Sequence, residues 1–539
     1  MIQDKNLKGV LDIVENIEES RREKAAWDAK EWGLFYHLSP ARRNLIDWIP
    51  MQMGESVLEV GAECGAMTGH FLRHEMKVTA LEKEPEKAEI LKKRYEGKEP
   101  EVSVISDFSE LPENQTYDLV VALGSLPLAK QYFPEEDDAY AAFLARLKDL
   151  VAMGGRFILA LPNKLGLKYF AGAREDITGA PFTGVEDYFF HPEVRTFARR
   201  ELADMLETAG FKDLMWYYPY PDWRFPFCMY SDERLPKPGE LNRNLESADQ
   251  ERYVFFDETK AFDTVTKEGL FPEFSNSFLV IAGGEKQTLP SYVKYSAERD
   301  PKYALRTEQR RDGVIRKAAL YPEGVPHVRS IFNSFQLLSE TLKDTQIKVA
   351  PCRLLDDIIE EKYVKGESLQ HIIQDLALHG KEEEIGILIM EYMMRLEPFD
   401  KLHDIDLIFS NLIVPETAKT VDEIKHADWV LIDYEWTFEE PKPRRYVIYR
   451  SFLMASAEIT NSETCKLPKL LKRINATEER VKKYEERERA FQKEVLGSSV
   501  PVRDLVKNIK PGVIPFIELD QAYRKKDQEP APKKRRFFR

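Results

Sequence analysis

The run Val57-Leu-Glu-Val-Gly-Ala-Glu-Cys-Gly-Ala-Met-Thr-Gly69 constrains this chain more than any other. A short β-like stretch, Val57 to Val60, enters a turn carrying Gly61, Gly65 and Gly69. The turn opens into a helix-like segment from Gly65 to His74. A strand passing into a helix through glycines lets backbone N–H groups approach a ligand with no Cβ in the way. Glu63 stands where a G-x-G-x-G loop would place its middle glycine. The next strand-like run, Lys77-Val-Thr-Ala-Leu-Glu82, ends in an acid about 20 residues on, where a carboxylate can accept both ribose hydroxyls.

Beyond Glu82 the chain departs from a dinucleotide site. Val102-Ser-Val-Ile-Ser-Asp107 ends in a second acid, followed by Phe108. Tyr117-Asp-Leu-Val-Val-Ala-Leu-Gly-Ser125 ends in small residues. Gly155-Arg-Phe-Ile-Leu-Ala-Leu-Pro-Asn163 follows a helix over 138–151 and the turn Met153-Gly-Gly155. From Val57 to about Gly284 the series resembles a class I S-adenosylmethionine (SAM) methyltransferase. The resemblance implies a Rossmann-like α/β sheet with Glu59, Gly61, Ala62 and Gly65 around the methionine part of SAM. It also implies Glu82 on the ribose, and Asp107 and Phe108 at the adenine. An α/β domain binding another nucleotide is the alternative.

At 539 residues the chain is too long for one core, and two or three domains are expected. A formal net charge of −14 disfavours nucleic acid as a partner, since phosphate neutralisation needs a basic face. Cys64, Cys228, Cys352 and Cys465 lie far apart, which fits neither a zinc site nor a disulfide framework and suits a reducing cytoplasm. No apolar run approaches the ~18 residues of a membrane span. A cytoplasmic protein, at most peripheral to the inner face of the plasma membrane, is expected.

Residues 1–50 read as a helical arm, with helices over 7–19, 21–32 and 40–48 and a connector Trp32–Pro40. Tyr36 and His37 of that connector could reach the site, or the aromatic residues could simply dock the arm. After Asn163 comes an aperiodic stretch to Arg195, rich in glycine and aromatics, that leaves the carboxyl edge of the sheet. Ligands of doubly wound sheets bind at that edge, so the stretch is a natural acceptor pocket. His191 and Glu186 are candidates for a base there, against the blander reading of loop hydrogen bonds. A helix over 196–209, capped by Thr196, a strand over 213–220 and an antiparallel return strand over 276–283 complete the domain, residues 51–284.

The pattern then restarts. Asp312-Gly-Val-Ile-Arg-Lys-Ala318 reads as a hairpin turn and a strand carrying Lys317, followed by a helix over 325–342. Asp404-Ile-Asp406-Leu-Ile-Phe-Ser-Asn411 places an Asp five residues before an Asn that enters an apolar strand, the catalytic-loop spacing of kinase-like phosphotransferases. Trp429-Val-Leu-Ile-Asp433-Tyr-Glu-Trp436 puts another acid at a strand end. This half, residues 290–465, resembles the small-molecule kinases of the aminoglycoside and choline type. The resemblance implies Asp406 as base, Lys317 on the α/β-phosphates of ATP, and Asn411 and Asp433 on Mg²⁺. It departs from the family in lacking a Gly-rich loop before Lys317 and in carrying Asp404 where the motif has His. An inactive kinase fold is the alternative.

Residues 466–539 read as one charged helix over 470–496, for a partner or for the kinase-like lobe, and a basic tail, Pro530–Arg539. The tail suits either solvent or an anionic membrane surface. The fold class expected is α/β: a Rossmann-like methyltransferase domain, then a compact α+β bilobal kinase-like domain and a helical C-terminal region. That order resembles the bifunctional methyltransferase–kinases that terminate bacterial O-antigen chains. It implies a glycan or sugar acceptor, with glycosyltransferases as partners.

Overall fold

Strands form where the sequence offers uninterrupted apolar runs, because a parallel sheet covered by helices is buried on both faces. β1 (Ser56–Val60), β2 (Lys77–Leu81), β4 (Tyr117–Leu123) and the second half of β5 (Val151–Pro162) come close to this kind, whereas the edge strand β3 (Ser103–Ile105) is only partly buried. Val57, Leu58, Leu119 to Ala122 and Phe157 to Leu161 are fully buried. β6 (Met215–Tyr220), β7 (Cys228–Ser231), β8 (Arg252–Val254) and β9 (Ser277–Ala282) follow. The computed structural model describes residues 5–241, 249–296, 298–497 and 512–516. Two units emerge: Met1–Leu289 with Val502–Arg539, and Pro290–Pro501. The 1–50 arm thus belongs to the first unit and the charged helical region to the second. The basic tail Pro530–Arg539 lies outside the described residues.

In the first unit the strands run in the order β7-β6-β9-β5-β4-β1-β2-β3. β1 pairs in parallel with both β2 and β4, and β9 lies antiparallel between β5 and β6. This is an open, doubly wound Rossmann-like sheet whose direction of progression reverses between β1 and β4. The expected turn Met153–Gly155 is absorbed into β5, whose pairing with β4 jumps from Val151 to Arg156. The arm holds α1 (Leu7–Asn16), α2 (Glu19–Ala29) and α3 (Trp32–Leu38). The segment expected to be a connector is therefore helix α3. Its Leu34, Phe35, Tyr36, His37 and Leu38 are all buried, so no face of it shows the periodicity that would mark a helix.

The expected cap Thr196 is also corrected: the helix is α4 (Arg199–Thr208), entered through Ala198. Thr196 instead shares a hydrogen bond of 2.6 Å with the buried Tyr188 hydroxyl.

The second unit carries an antiparallel sheet in the order β14-β15-β12-β11-β10. Its strands are β10 (Tyr292–Ser296), β11 (Leu305–Gln309), β12 (Val314–Ala319), β14 (Cys352–Leu355) and β15 (Ile358–Lys362), with the helix α5 (Val325–Thr341) between β12 and β14. β13 (Ile347–Val349), β16 (Gly366–Ser368), β18 (Leu412–Pro415) and β19 (Trp429–Leu431) form a smaller sheet, and β17 (Lys401–Asp404) pairs with β20 (Thr437–Pro443). The long charged helix is two: α6 (Leu467–Arg473) and α7 (Glu478–Leu496). No helix among the described residues is long and apolar enough to cross a membrane.

Candidate functional site

A cleft of about 220 Å³ opens at the carboxyl ends of β1, β2 and β4, the switch point of the first sheet. Gly61 follows β1, Glu82 to Glu84 follow β2, and Leu123 ends β4 with Gly124 and Ser125 just after it; all line it. Gly61 has φ +76°, and a Cβ there would lie 3.0 Å from that of Ser125. The turn after β1 therefore needs glycine at this point to leave room beside β4.

Glu82 is held by its neighbours. Glu63 N–H donates to its Oε2 at 2.7 Å and Glu84 N–H to its Oε1 at 2.8 Å. Each oxygen keeps a further lone pair for a ribose hydroxyl. Burial raises the Glu82 carboxyl above its ordinary value, against these amides and Lys87.

The loop contributes space more than free donors. Gly61 N–H and Ala62 N–H both donate to the Leu81 carbonyl, and Gly65 N–H to that of Ala62. Gly65 serves Tyr95, whose hydroxyl donates to the Gly65 carbonyl at 2.6 Å and whose ring a Cβ would strike at 2.7 Å. Neither Ala62 nor Gly65 lines the cleft.

Glu59 is also displaced from its expected place at the ligand. It is buried behind the loop, where Thr68 Oγ1 donates to its Oε2 at 2.6 Å. Desolvation pushes its carboxyl up to about 8.

Glu63, the residue in place of glycine, adopts φ +49°. Its carboxylate accepts from Arg42 Nη1 at 2.9 Å and from the Tyr36 hydroxyl at 3.3 Å. Arg42 also lies over the Tyr36 ring at 3.9 Å. Burial alone would raise Glu63; Arg42 and His37 outweigh it and hold the carboxyl below its ordinary value. The arm thus reaches the cleft through Tyr36, which lines it, while Arg42 holds the lining residue Glu63. Arg42 was not legible as a site residue, although an acid at a glycine position implies a cation nearby.

Asp107 and Phe108 do not line the cleft. Asp107 caps the short turn after β3, accepting from Ser109 N–H at 3.0 Å, and pairs with Lys83 at 3.2 Å. Phe108 packs against Tyr132 with centroids 5.8 Å apart. Lys83 and Tyr132 are the residues that face the cavity.

The 164–195 stretch supplies Asp176, Ile177 and Val194 to the wall, beside Trp223 and Arg224. Arg224 is buried among Asp222, Asp249 and Asp176. His191 is not among the lining residues. It is 36% exposed and meets Glu193 at 3.3 Å, because the turn it closes buries Tyr188 instead. Glu186 is exposed as well.

In the second unit Lys317, Asp406, Asn411 and Asp433 form one connected group. Lys317 Nζ lies 3.0 Å from Asp433 Oδ1. Asn411 Nδ2 donates to the Asp406 carbonyl at 3.0 Å and to the Asp433 carbonyl at 3.3 Å. Asp433 sits at φ +54°. Burial would raise its carboxyl, but Lys317 and Lys294 draw it down to about 2. Lys317 is held above its ordinary value by Asp433 and Glu361, which outweigh its burial.

Glu361 is the partner of Lys317 that the sequence did not reveal. It stands on β15, on the same sheet face, 3.2 Å away. The helix α5 contributes His327, whose Nε2 meets Glu435 Oε1 at 2.8 Å. Arg299, in the connector that replaces a Gly-rich loop, pairs with the same carboxylate.

Asp404 is wholly buried, its Oδ1 accepting from Asp406 N–H at 2.9 Å, and burial beside Asp406 raises it well above the usual range. Burial raises Asp406 too, against the pull of Arg450. Among the described residues no three His, Cys, Asp or Glu side chains converge as a metal-binding group. A site of Asp433 and Asn411 completed by nucleotide phosphates needs no such cluster.

The first unit is thus a doubly wound α/β domain with a switch-point cleft, and the second presents a lysine–aspartate–asparagine centre at strand ends. No protein-family model matches the chain, and no curated protein does. Solved structures do resemble it. A SAM dependent methyltransferase from Archaeoglobus fulgidus is 14% identical, over 46% of this chain and 94% of its own, with a TM-score of 0.29. A possible histamine N-methyltransferase from Thermotoga maritima is 15% identical, over 52% of this chain and 100% of its own, with a TM-score of 0.27. A Haemonchus contortus phosphoethanolamine N-methyltransferase in complex with SAM is 13% identical, over 51% of this chain and 60% of its own, with a TM-score of 0.29. Such values assign no residue roles; the site stands on its own geometry.

Proposed function

We propose that the first unit is a SAM-dependent methyltransferase and the second an ATP-dependent phosphotransferase, together modifying the terminal sugar of a cell-surface glycan. The observation that carries the first half is Glu82, backed by two amides at the switch point opposite Gly61. SAM, when bound, supplies an electrophilic methyl group. Glu82 would hold its ribose, and the Gly61 turn would lie against its amino-acid end. The acceptor would enter past Asp176, Ile177 and Val194.

For the second half the carrying observation is the junction of Lys317, Asn411 and Asp433. Mg·ATP, when bound, supplies the phosphoryl group. Lys317 would pair with its phosphates, Asp433 and Asn411 would hold the metal, and Asp406 would accept the acceptor hydroxyl's proton. The glycan acceptor and association with glycosyltransferases rest on domain order alone.

Calorimetry with SAM and with Mg·ATP tests both halves. Glu82→Ala is expected to lose SAM and keep Mg·ATP; Asp406→Ala is expected to keep both ligands and lose phosphoryl transfer. Binding of neither ligand would overturn the proposal.

The Arg299–Glu435 pair in place of a Gly-rich loop favours one second reading, a kinase-like half that binds partners without catalysing. A SAM-induced thermal shift with none from Mg·ATP would select it.

A further inference from the structure

The sequence leaves the charged helix α7 open between a partner coiled coil and a packed lobe. Its buried side chains are Tyr484, Glu488 and Val495, and the glutamate is the unusual member. Glu488 Oε2 accepts from the Tyr446 hydroxyl at 3.1 Å, and its Oε1 from Gln492 Nε2 at 2.8 Å and from Arg450 Nη1. Arg450 belongs to the helix Arg444–Glu458, is buried, and stacks over Phe491 of α7 at 4.8 Å. Its other terminal nitrogen, Nη2, donates to Asp406 Oδ1 at 3.2 Å.

The surroundings make this contact matter. Asp406 is faced by Asp404 from β17 and by Asp433 and Glu435 from the loop after β19. Among the described residues, Arg450 is the cation bonded to its carboxylate. Burying an Arg–Glu pair is costly, and apolar side chains of the same shape commonly stabilise a core as well or better. A buried polar chain that ends on the one candidate base is therefore poorly explained as a fold-stabilising device.

We propose that α7 is a working part of the phosphotransfer centre: Glu488 anchors Arg450, and Arg450 fixes the orientation of the Asp406 carboxylate. The inference rests on the phosphotransferase reading and assigns two positioning residues to it. Neither needs to touch nucleotide or acceptor. The region 466–496 then belongs to the catalytic body and is not a free dimerisation helix.

The test uses the full chain with Mg·ATP, following phosphate release to water and transfer to a panel of methyl glycosides. Arg450→Met is expected to lower kcat about 10²-fold, the scale of a misplaced catalytic group, with KM for Mg·ATP within about twofold. Glu488→Gln should lower kcat about tenfold, and Arg450→Lys should recover part of the loss. SAM binding and the melting profile report folding, and Glu488→Gln decides the matter if Arg450→Met melts the second unit. If the parent turns over and both variants match it, or if kcat and melting fall while KM rises in step, the positioning role is overturned and the phosphotransferase reading stands. If the parent binds Mg·ATP and transfers phosphate to nothing, that reading fails and takes this one with it.

Discussion

The two candidate centres place a non-glycine residue at positive φ where a strand ends, and they steady it differently. Glu63 (φ +49°) is enclosed, its carboxylate clasped by Arg42 with side chains only 4% and 12% exposed. Asp433 (φ +54°) faces Lys317 with its own side chain 40% exposed. Such backbone costs on the order of 1–3 kcal/mol and persists where surroundings over-determine it. The enclosed pair resembles a locked joint, whereas the half-open pair leaves an acid in reach of solvent, as the proposed metal and nucleotide would require. A carboxylate that is to exchange partners during turnover cannot be sealed.

That contrast can be broken most readily in the first unit. Arg42→Met leaves Glu63 buried without its cation and should destabilise the first unit by about 3–5 kcal/mol in denaturant titrations. The pair Arg42→Met with Glu63→Gly should recover much of the loss, and simple additivity would count against the clasp.

The next effect is pH-dependent and concerns Glu59. In the unfolded chain this carboxyl releases its proton near pH 4.3, while the folded side chain keeps it to about 8. The folded state therefore holds the extra proton between those values, and stability falls as pH rises through that window, by roughly 2–4 kcal/mol. Glu59→Gln should match the parent near pH 4.5 and exceed it at pH 8; parallel stability profiles would refute a buried protonated carboxyl.

Asp433→Asn should cost less, about 1–2 kcal/mol, because Asp433 retains solvent and Lys317 keeps Glu361. Mg·ATP affinity should fall, with the SAM isotherm unchanged. A loss as large as that of Arg42→Met would erase the distinction between sealed and open pairs.

Smallest, Gly61→Ala should cost about 1 kcal/mol of stability, from positive φ and the Ser125 contact, and weaken SAM by about tenfold. Undiminished affinity would remove the turn from the cofactor site.

Much of this architecture was legible in the sequence, and the reason is locality. β1, β2, β4 and β5 are apolar runs that a two-sided sheet demands, and Glu82, Asp406, Asn411 and Asp433 sit at fixed offsets from strand ends. The partners that complete the centres come from afar and leave faint traces. Glu361 looks like any strand acid, and Glu488 is lost in a charged helix.

Two signals were readable in principle: Glu63 at a glycine position, and Arg450 alone inside the apolar run Tyr446-Val-Ile-Tyr-Arg-Ser-Phe452, where a buried charge must find an anion. His191 misled for the converse reason. Its loop was correctly placed near the cleft, but a backbone turn, invisible in the sequence, decided that Tyr188 faces inward.

The Arg42–Glu63 clasp also bears on where this molecule can be cut. A chain begun at Met51 would keep every strand of the first sheet, yet it would strand a negative charge beneath the glycine turn. The smallest autonomous piece is thus set by where neutralising charges reside, and secondary structure alone would draw its edge some ten residues too late.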